Sequence, residues 1–347
     1  MSRLLVLWVM LLGGSLASAA EEPVPEVAAR EAISPELIRK AIAKSIPLLE
    51  RGATVSAEER KCFTCHNQAL PVLALTAVSQ RGFDVNPDVL KQQLTHTWNH
   101  LERGLKQYQA GKGQGGQVLT AGYALWALDI GGWPKDETTA AVTHYLLAYQ
   151  RDQDHWTGSS RRPPTAGSGF TSTYVALRAL AAYGTNEQQA AIAARRQSVA
   201  KWVLETKPLE TEDRVFQLRS LPYLDADPAE IQAAVDALLA AQLPGGGWSQ
   251  KSDLPADAYA TATVLAALRE VGQLPADHNA IQAGGRYLLD AQLEDGSWHV
   301  VTRAKPIQDY YEAGFPHDED QFISISATSW ATIALAQLLP REVKSPD

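Results

Sequence analysis

The segment "KCFTCHNQ", from Lys61 to Gln68, contains both cysteines of the chain, three residues apart, with a histidine directly after the second. Two thiols at this spacing can form thioether bonds to the vinyl groups of a haem, and the following histidine can then reach the iron. Cys62, Cys65 and His66 therefore predict a covalent haem c with His66 as the proximal iron ligand.

Two other interpretations of the same residues stay open at this point. In an oxidising compartment the thiols can form a Cys62–Cys65 disulfide, structural or redox-active, with His66 incidental. Zinc is the second alternative, because Cys62, Cys65 and His66 supply three ligands and an acidic or histidine side chain of another loop could supply the fourth.

The N-terminus predicts export, which covalent haem attachment requires. Residues 1–20 have the pattern of a signal peptide, with Arg3, an apolar stretch over 4–12 and the small residues of 17–19 before cleavage near Ala19 or Ala20. The apolar stretch is too short to span a membrane, and no later stretch approaches the necessary length. We expect a periplasmic or secreted protein that is not membrane-spanning, with a flexible segment over 21–33.

Composition excludes one class of partner. The 347 residues carry a net charge of −8, and 45% of them are hydrophobic, as in an ordinary acidic globular protein. Nucleic acid is not an expected partner, because phosphate binding needs a basic stripe that the sequence lacks.

Internal repeats indicate how the chain holds these residues. Helical segments that start with Thr or Pro and stop at a glycine recur, the glycines lying roughly 49, 53 and 88 residues apart. The last step is about twice the others, so it contains one degenerate unit, and a sixth unit follows near the C-terminus. The segments are 71–82, 120–131, 173–184, 213–224 (degenerate), 261–272 and "SISATSWATIALAQLL".

Each unit also has an upstream helix with more polar and charged residues. The polar helices suit an outer ring and the Ala, Thr and Leu-rich helices a buried inner ring. In three of the units a related phrase lies between the two helices: "QLPGGGW", "QLEDGSW" and the degenerate copy "QRDQDHW". The sequence predicts an all-α protein, a single (α/α)6 toroid of about six helix pairs over 34–340, with a C-terminal tail over 341–347.

The Gln-x-x-x-Gly-x-Trp phrases and the helix pairs resemble the α/α toroid shared by squalene-hopene cyclases, protein prenyltransferase β subunits and related repeat proteins. The resemblance covers about 34–339. The first-repeat "CHNQ" followed by proline, with "GFPH" and "DQFIS" before "TSW" in the sixth repeat, resembles an exported bacterial subgroup of squalene-cyclase-like repeat proteins with a CxxCH motif. Such a resemblance implies a fold, and a fold does not determine a reaction.

The residues that a cyclase needs are incomplete. Hopene-type cyclases protonate an alkene with the middle aspartate of an Asp-x-Asp-Asp-Thr-Ala motif, and the resemblance matches that motif to 257–262. Asp257 and the Thr-Ala pair are retained, whereas Tyr259 and Ala260 replace the other aspartates. These cyclases also have a second domain that a chain of 347 residues cannot supply. The segment "LDADP", with Asp225 and Asp227, is spelled like the cyclase acid motif. It precedes proline in a predicted loop, however, so these aspartates are weak candidates for the acid.

The sixth iron ligand can be constrained. Both methionines, Met1 and Met10, leave with the signal peptide, so the site is bis-histidine or open. In a closed ring the sixth connector, 299–322, lies beside the Cys62–His66 loop. His317 is therefore the first candidate for the distal ligand; His299 is second and His155 third. His96 and His100, at i and i+4, could bind a metal, but solvated surface histidines are the more common case.

Three functional hypotheses follow. The first is an exported c-haem toroid for electron transfer or haem-dependent redox chemistry, with a periplasmic redox partner and an apolar, isoprenoid-like ligand held by central aromatics. The second is a terpene-cyclase-like isomerase that uses a non-standard acid, with Asp257, Tyr259, Asp318 and Asp320 as candidates. The third is a non-catalytic binding scaffold in which the Cys62–Cys65 disulfide ties a loop. The central aromatics are Tyr123, Trp126, Phe170, Tyr174, Tyr259 and Trp330, and Tyr310 and Tyr311 would line the rim or pin its loop.

Overall fold

The computed structural model describes residues 32–159, 162–306 and 309–341. Within these ranges the predicted all-α fold is confirmed, with 13 α-helices and no strand beyond one isolated bridge between Ser249 and Ala256. The helices are α1 Pro35–Glu59, α2 Leu70–Ser79, α3 Pro87–Arg103, α4 Leu105–Gln109, α5 Gln117–Ile130, α6 Glu137–Ala148, α7 Gly169–Tyr183, α8 Gln189–Glu205, α9 Thr211–Ser220, α10 Pro228–Ala240, α11 Ala258–Glu270, α12 Asn279–Ala291 and α13 Gln321–Ala336.

The helices form two concentric rings. Six inner helices contact one another in chain order, α2, α5, α7, α9, α11 and α13, and α13 packs back onto α2 to close the ring. The outer helices are α1, α3, α6, α8, α10 and α12, with the short α4 continuing α3. The predicted toroid of six helix pairs is therefore confirmed for the described residues.

Burial explains which helix takes which ring. In α13 nearly every side chain is buried, from Gln321 to Ala336, because the helix carries no charged residue and its serines can donate to helix carbonyls, as Ser326 and Ser329 do. In α3 only Gln93, Thr97 and Leu101 are buried, one residue per turn, as expected of a helix with a solvated outer face.

The fold holds the residues at the predicted start of the toroid. Ser34 caps α1, and Ile33 is buried, with its amide donating to Gln282 Oε1 at 2.8 Å. The predicted signal peptide and most of the predicted flexible segment and tail lie outside the described residues. No helix in the described ranges is both long and apolar enough to cross a bilayer.

The Gln-Gly-Trp phrases lock one repeat to the next. Gln242 Nε2 donates to Gly246 O at 2.7 Å and to Ala280 O of the following outer helix at 2.9 Å. Gly246 has a φ of +88°, and a Cβ there would lie 2.6 Å from Ala283 O, so only glycine fits. The Trp248 indole donates to Leu238 O at 2.7 Å.

The second copy closes the ring. Gln292 Nε2 donates to Gly296 O at 3.0 Å and to Ala41 O at 2.9 Å, so it ties the sixth repeat to α1. Trp298 is fully buried and donates to Leu288 O at 2.7 Å. The hydrogen bond from the tryptophan to its own outer helix recurs in the degenerate copy, where the Trp156 indole donates to Leu146 O at 2.9 Å.

Trp298→Phe is expected to lower the free energy of unfolding by about 1–3 kcal/mol, because it removes a buried hydrogen bond and leaves a small cavity. Trp202→Phe is the matched control, since Trp202 is half-buried and stacks on His155 with its ring centroid 4.0 Å away. Urea denaturation measures both variants. An equal loss in the two would contradict the role assigned to the Trp298 hydrogen bond.

Candidate cofactor site at the connector rim

The Cys-x-x-Cys-His loop leads directly into the first inner helix. Cys65–Ala69 forms one π-helical turn before α2, and Thr64 caps it by accepting from the Asn67 amide at 3.2 Å. Gln68 Oε1 accepts from the Thr64 amide and hydroxyl, both at 2.8 Å. This local network fixes Cys65 and His66 at the start of an inner helix.

The Asn and Gln that follow the histidine anchor the turn to α1. Both side chains are fully buried. Asn67 Nδ2 donates to Gly52 O at 3.3 Å, and Gln68 Nε2 donates to Ser56 Oγ at 3.4 Å. The motif is thus held by the outer helix of its own repeat.

Helix α3 holds the other end of the loop. His96 Nε2 lies 3.3 Å from Cys62 O, Arg103 donates to Lys61 O, and the His100 ring lies 6.1 Å from the Phe63 ring. His96 and His100 therefore contact the loop that carries the thiols. In the described parts of the chain, no group of three His, Cys, Asp or Glu side chains is placed to hold a metal ion.

A cleft opens beside the motif. It lies at the connector rim, the edge of the ring where the segments between each outer helix and its inner helix run. Its cavity volume is about 160 Å³, which is below the range of typical small-molecule and cofactor sites. Three parts of the ring line it: the motif, the connector before α7, and the sixth connector with the start of α13. The lining includes Cys65, His66, Arg162, Lys305, Tyr310 and Phe322. The predicted proximity of the sixth connector to the Cys62–His66 loop is therefore observed.

His66 lines this cleft in the form that binds metals. Its ring centroid lies 4.9 Å from that of Phe322, and its Nε2 is enclosed with no hydrogen-bond partner in the protein. Burial, helped by the charge of Arg162, lowers the pKa of His66 to about 3. The imidazole is neutral near pH 7, so a nitrogen lone pair is available to a metal.

Both thiols of the motif are free in the structure, Cys62 exposed and Cys65 half-buried. Burial raises the pKa of the Cys65 thiol, and the nearby charge of Arg162 opposes that shift. The unpaired His66 Nε2 and the two thiols are the groups that a covalently held haem needs, whereas the adjacent cleft of about 160 Å³ is small for a haem.

The structure does not bring His317 to His66. His317 Nε2 lies 2.7 Å from Ser297 Oγ, and its ring stacks on His299 with centroids 4.5 Å apart. His317 lines a separate cleft with Asp295 and Phe315, and its φ of +86° turns the chain there. The predicted position of the sixth connector beside the Cys62–His66 loop agrees with the structure. The His317 side chain, however, points away from that loop.

The other predicted rim residues have structural partners. His299 Nε2 lies 2.8 Å from Asp320 Oδ2, and His155 stacks on Trp202. Tyr310 lines the His66 cleft, whereas the Tyr311 ring lies 4.4 Å from the Arg60 guanidinium and pins the connector.

The predicted acids mostly cap helices or loops. Asp257 caps α11 by accepting from Ala260 N at 2.9 Å, and burial raises its pKa. Asp320 Oδ1 accepts from Thr302 N at 2.7 Å, and Asp318 is exposed. Asp227 caps α10, as a loop position predicts.

A buried acid that the sequence analysis missed lies in the degenerate repeat. Glu212, in the first turn of α9, is 4% exposed. Its oxygens accept from the Thr171 hydroxyl at 2.9 Å and from the Tyr259 hydroxyl at 3.1 Å. Burial raises the pKa of Glu212 to about 7. Tyr259, which occupies the place of the cyclase aspartate, thus contacts a carboxyl on the neighbouring inner helix.

The centre of the ring around this acid is filled by side chains. Tyr123 stacks on Trp126 at 5.8 Å, and Trp126 contacts Tyr174 at 5.2 Å and Trp330 at 6.1 Å. Tyr123, Tyr174 and Trp330 are each 1% exposed, so the described centre is a packed core. Trp126 and Trp330 also line a cleft that opens where the inner helices end.

Comparisons with known proteins show a shared fold. No family model and no curated protein matches the chain. Among solved structures, a variant of the type II terpene cyclase MstE from Scytonema, in complex with geranylgeranyl dihydroxybenzoate, matches with a TM-score of 0.57 and 13% identity over 88% of this chain and 99% of that chain. A variant in complex with merosterolic acid A matches with a TM-score of 0.57 and 15% identity over the same shares. The apo enzyme gives 0.55 and 15% over 87% of this chain and 98% of that chain.

The matches extend over nearly the whole of each cyclase chain, 98% or more of its length. The chain therefore has the α/α fold of a type II terpene cyclase.

Proposed function

We propose that this protein is an exported toroid that carries a covalent c-type haem in the connector-rim cleft and works as an electron-transfer or haem-dependent redox protein. The observation that carries the proposal is His66 Nε2, which is enclosed, unpaired and adjacent to a cleft lined by Cys65. A buried nitrogen without a partner costs about 1–3 kcal/mol, and an iron ligand bond would offset that cost.

The chain's own residues would attach and orient the cofactor. The Cys62 and Cys65 thiols would hold the haem as thioethers, each by adding its S–H across a vinyl double bond without an oxidant. His66 would supply a nitrogen ligand to the iron, and Arg162 and Lys305, which line the same cleft, would offer positive charge to the haem carboxylates. The bound haem supplies one-electron redox chemistry, which a periplasmic redox partner would couple to other reactions.

The absorption spectrum of His66→Ala tests the iron ligand. The exported wild type, produced with c-type maturation, is expected to show reduced and oxidised c-haem bands. His66→Ala is expected to shift the bands or to lose the haem, because the axial nitrogen is gone. His144→Ala, an exposed histidine of α6, is the matched control and should match the wild type. A His66→Ala spectrum identical to that of the wild type would remove His66 as the ligand.

A second candidate is a terpene-cyclase-like isomerase, which the similarity to solved structures favours over a haem role. Its specific observation is Glu212, a buried carboxyl with a raised pKa that Tyr259 contacts. An acid that keeps its proton near neutral pH is what alkene protonation needs. The packed ring centre would have to open for an isoprenoid. Turnover of geranylgeranyl dihydroxybenzoate by the wild type, lost in Glu212→Gln, is the result that this candidate requires.

A further inference from the structure

A second cleft lies at the opposite rim, where the inner helices end. Its cavity volume is about 540 Å³, and it is open in part to solvent. Four arginines line it, each contributed by a different part of the chain: Arg81 after α2, Arg178 from α7, Arg269 from α11 and Arg341 after α13. This arginine cleft is separate from the proposed haem site, whose residues lie at the connector rim.

Part of this positive charge serves the protein itself. Arg81 Nη1 donates to Ala77 O at 2.8 Å, and Arg269 Nη2 donates to Gln337 O at 3.1 Å, so both arginines satisfy helix-terminal carbonyls. Arg178 pairs with Asp129 at 2.8 Å. The one carboxylate of the described lining, Glu270, pairs with Arg219 at 2.8 Å. These contacts leave the cleft with a surplus of positive charge.

Several donors of the cleft lining have no partner in the protein. The Nε atoms of Arg81, Arg178 and Arg269 and the Trp330 Nε1 are buried and have no acceptor in the protein. Arg81 is 6% exposed and Trp330 is 1% exposed. The unpaired Gln337 oxygen belongs to an amide that can offer either a donor or an acceptor. Buried polar groups are rarely left unpaired, so a set of donors around one cleft indicates an acceptor ligand.

We propose that the arginine cleft binds the phosphate head group of an amphiphile. Several guanidinium groups around one cleft suit a dianionic oxyanion, which accepts from them in bidentate fashion. The same cleft has an apolar wall that includes Leu73, Ile130 and Ile333, and such a wall would contact an alkyl or isoprenoid tail. Burial, together with the nearby charges of Arg341 and Arg269, lowers the pKa of Arg81, and a bound anion would offset the repulsion among these charges.

Isothermal titration of the wild-type protein with dodecyl phosphate, inorganic phosphate and dodecanoate tests head group and tail separately. Dodecyl phosphate should bind at one site and at least tenfold more tightly than either of the others. Weaker binding of dodecyl phosphate than of dodecanoate would overturn the phosphate assignment. Equal binding of dodecyl phosphate and inorganic phosphate would overturn the amphiphile assignment.

Arginine variants locate the site. Arg269→Gln and Arg341→Gln should each weaken dodecyl phosphate binding about tenfold, because each removes a charge-assisted contact. Arg341 is exposed, so its variant is not expected to disturb folding. Arg151→Gln, at a side chain that is 76% exposed and away from the cleft, changes the net charge equally and should leave binding within twofold. Equal weakening by Arg151→Gln, or no binding by the wild type at millimolar ligand, would overturn the proposal.

Discussion

Cys62→Ser and Cys65→Ser are each expected to reduce covalently bound haem to half or less of the wild-type amount, and the double variant is expected to abolish it. The reason is chemical, because each thioether needs its own thiol and the chain has only these two cysteines. Haem staining of a denaturing gel measures the result, since a haem held only by His66 would leave on denaturation.

The control for this experiment is the wild-type chain produced without c-type maturation, which should remain unstained and folded. Circular dichroism checks that the serine variants keep their helices. Stain retained in the double variant would contradict thioether attachment, and an unstained wild type under maturation conditions would contradict the haem itself.

Glu212→Gln is expected to remove a pH dependence of stability of about 3 kcal/mol. Burial raises the pKa of Glu212 from its ordinary value of 4.5 to about 7, so the folded state holds a proton that the unfolded state releases. The stabilisation by this group is complete below about pH 4.5 and is lost as the pH rises to about 7. Glutamine stays neutral, and the variant should gain on the wild type over that range.

Urea denaturation at pH 5 and pH 8 compares the two proteins, with Glu102→Gln, an exposed carboxyl of α3, as the matched control. The difference in unfolding free energy between Glu212→Gln and the wild type should change by about 3 kcal/mol between the two pH values, and that for Glu102→Gln should stay nearly constant. Parallel pH profiles for all three would contradict a protonated buried Glu212.

The fold was predictable because its signals repeat. Glycine stops, apolar inner helices and the Gln-Gly-Trp phrases recur along the chain, and Gln242 and Gln292 make the same two contacts in the structure. The position of the Cys62–His66 loop beside the sixth connector follows from ring closure alone. Closure places the connector but does not orient its side chains, and His317 faces Ser297.

Glu212 and the arginine cleft carried no comparable signal. Glu212 lies in the degenerate repeat, and its burial depends on partners from α7 and α11, Thr171 and Tyr259. The arginines are spread from residue 81 to residue 341 and meet only because the inner helices end at one rim. Single residues that meet only in the folded protein form no regular spacing along the chain, so the sequence alone does not reveal such a site.

The most direct test of the central claim is mass spectrometry of the exported protein, intact and after proteolysis. The account predicts a mass increase of one haem, carried by the peptide that contains Cys62, Cys65 and His66. A peptide with two unmodified thiols, or with a disulfide between them, from a host that matures other c-type proteins would contradict it.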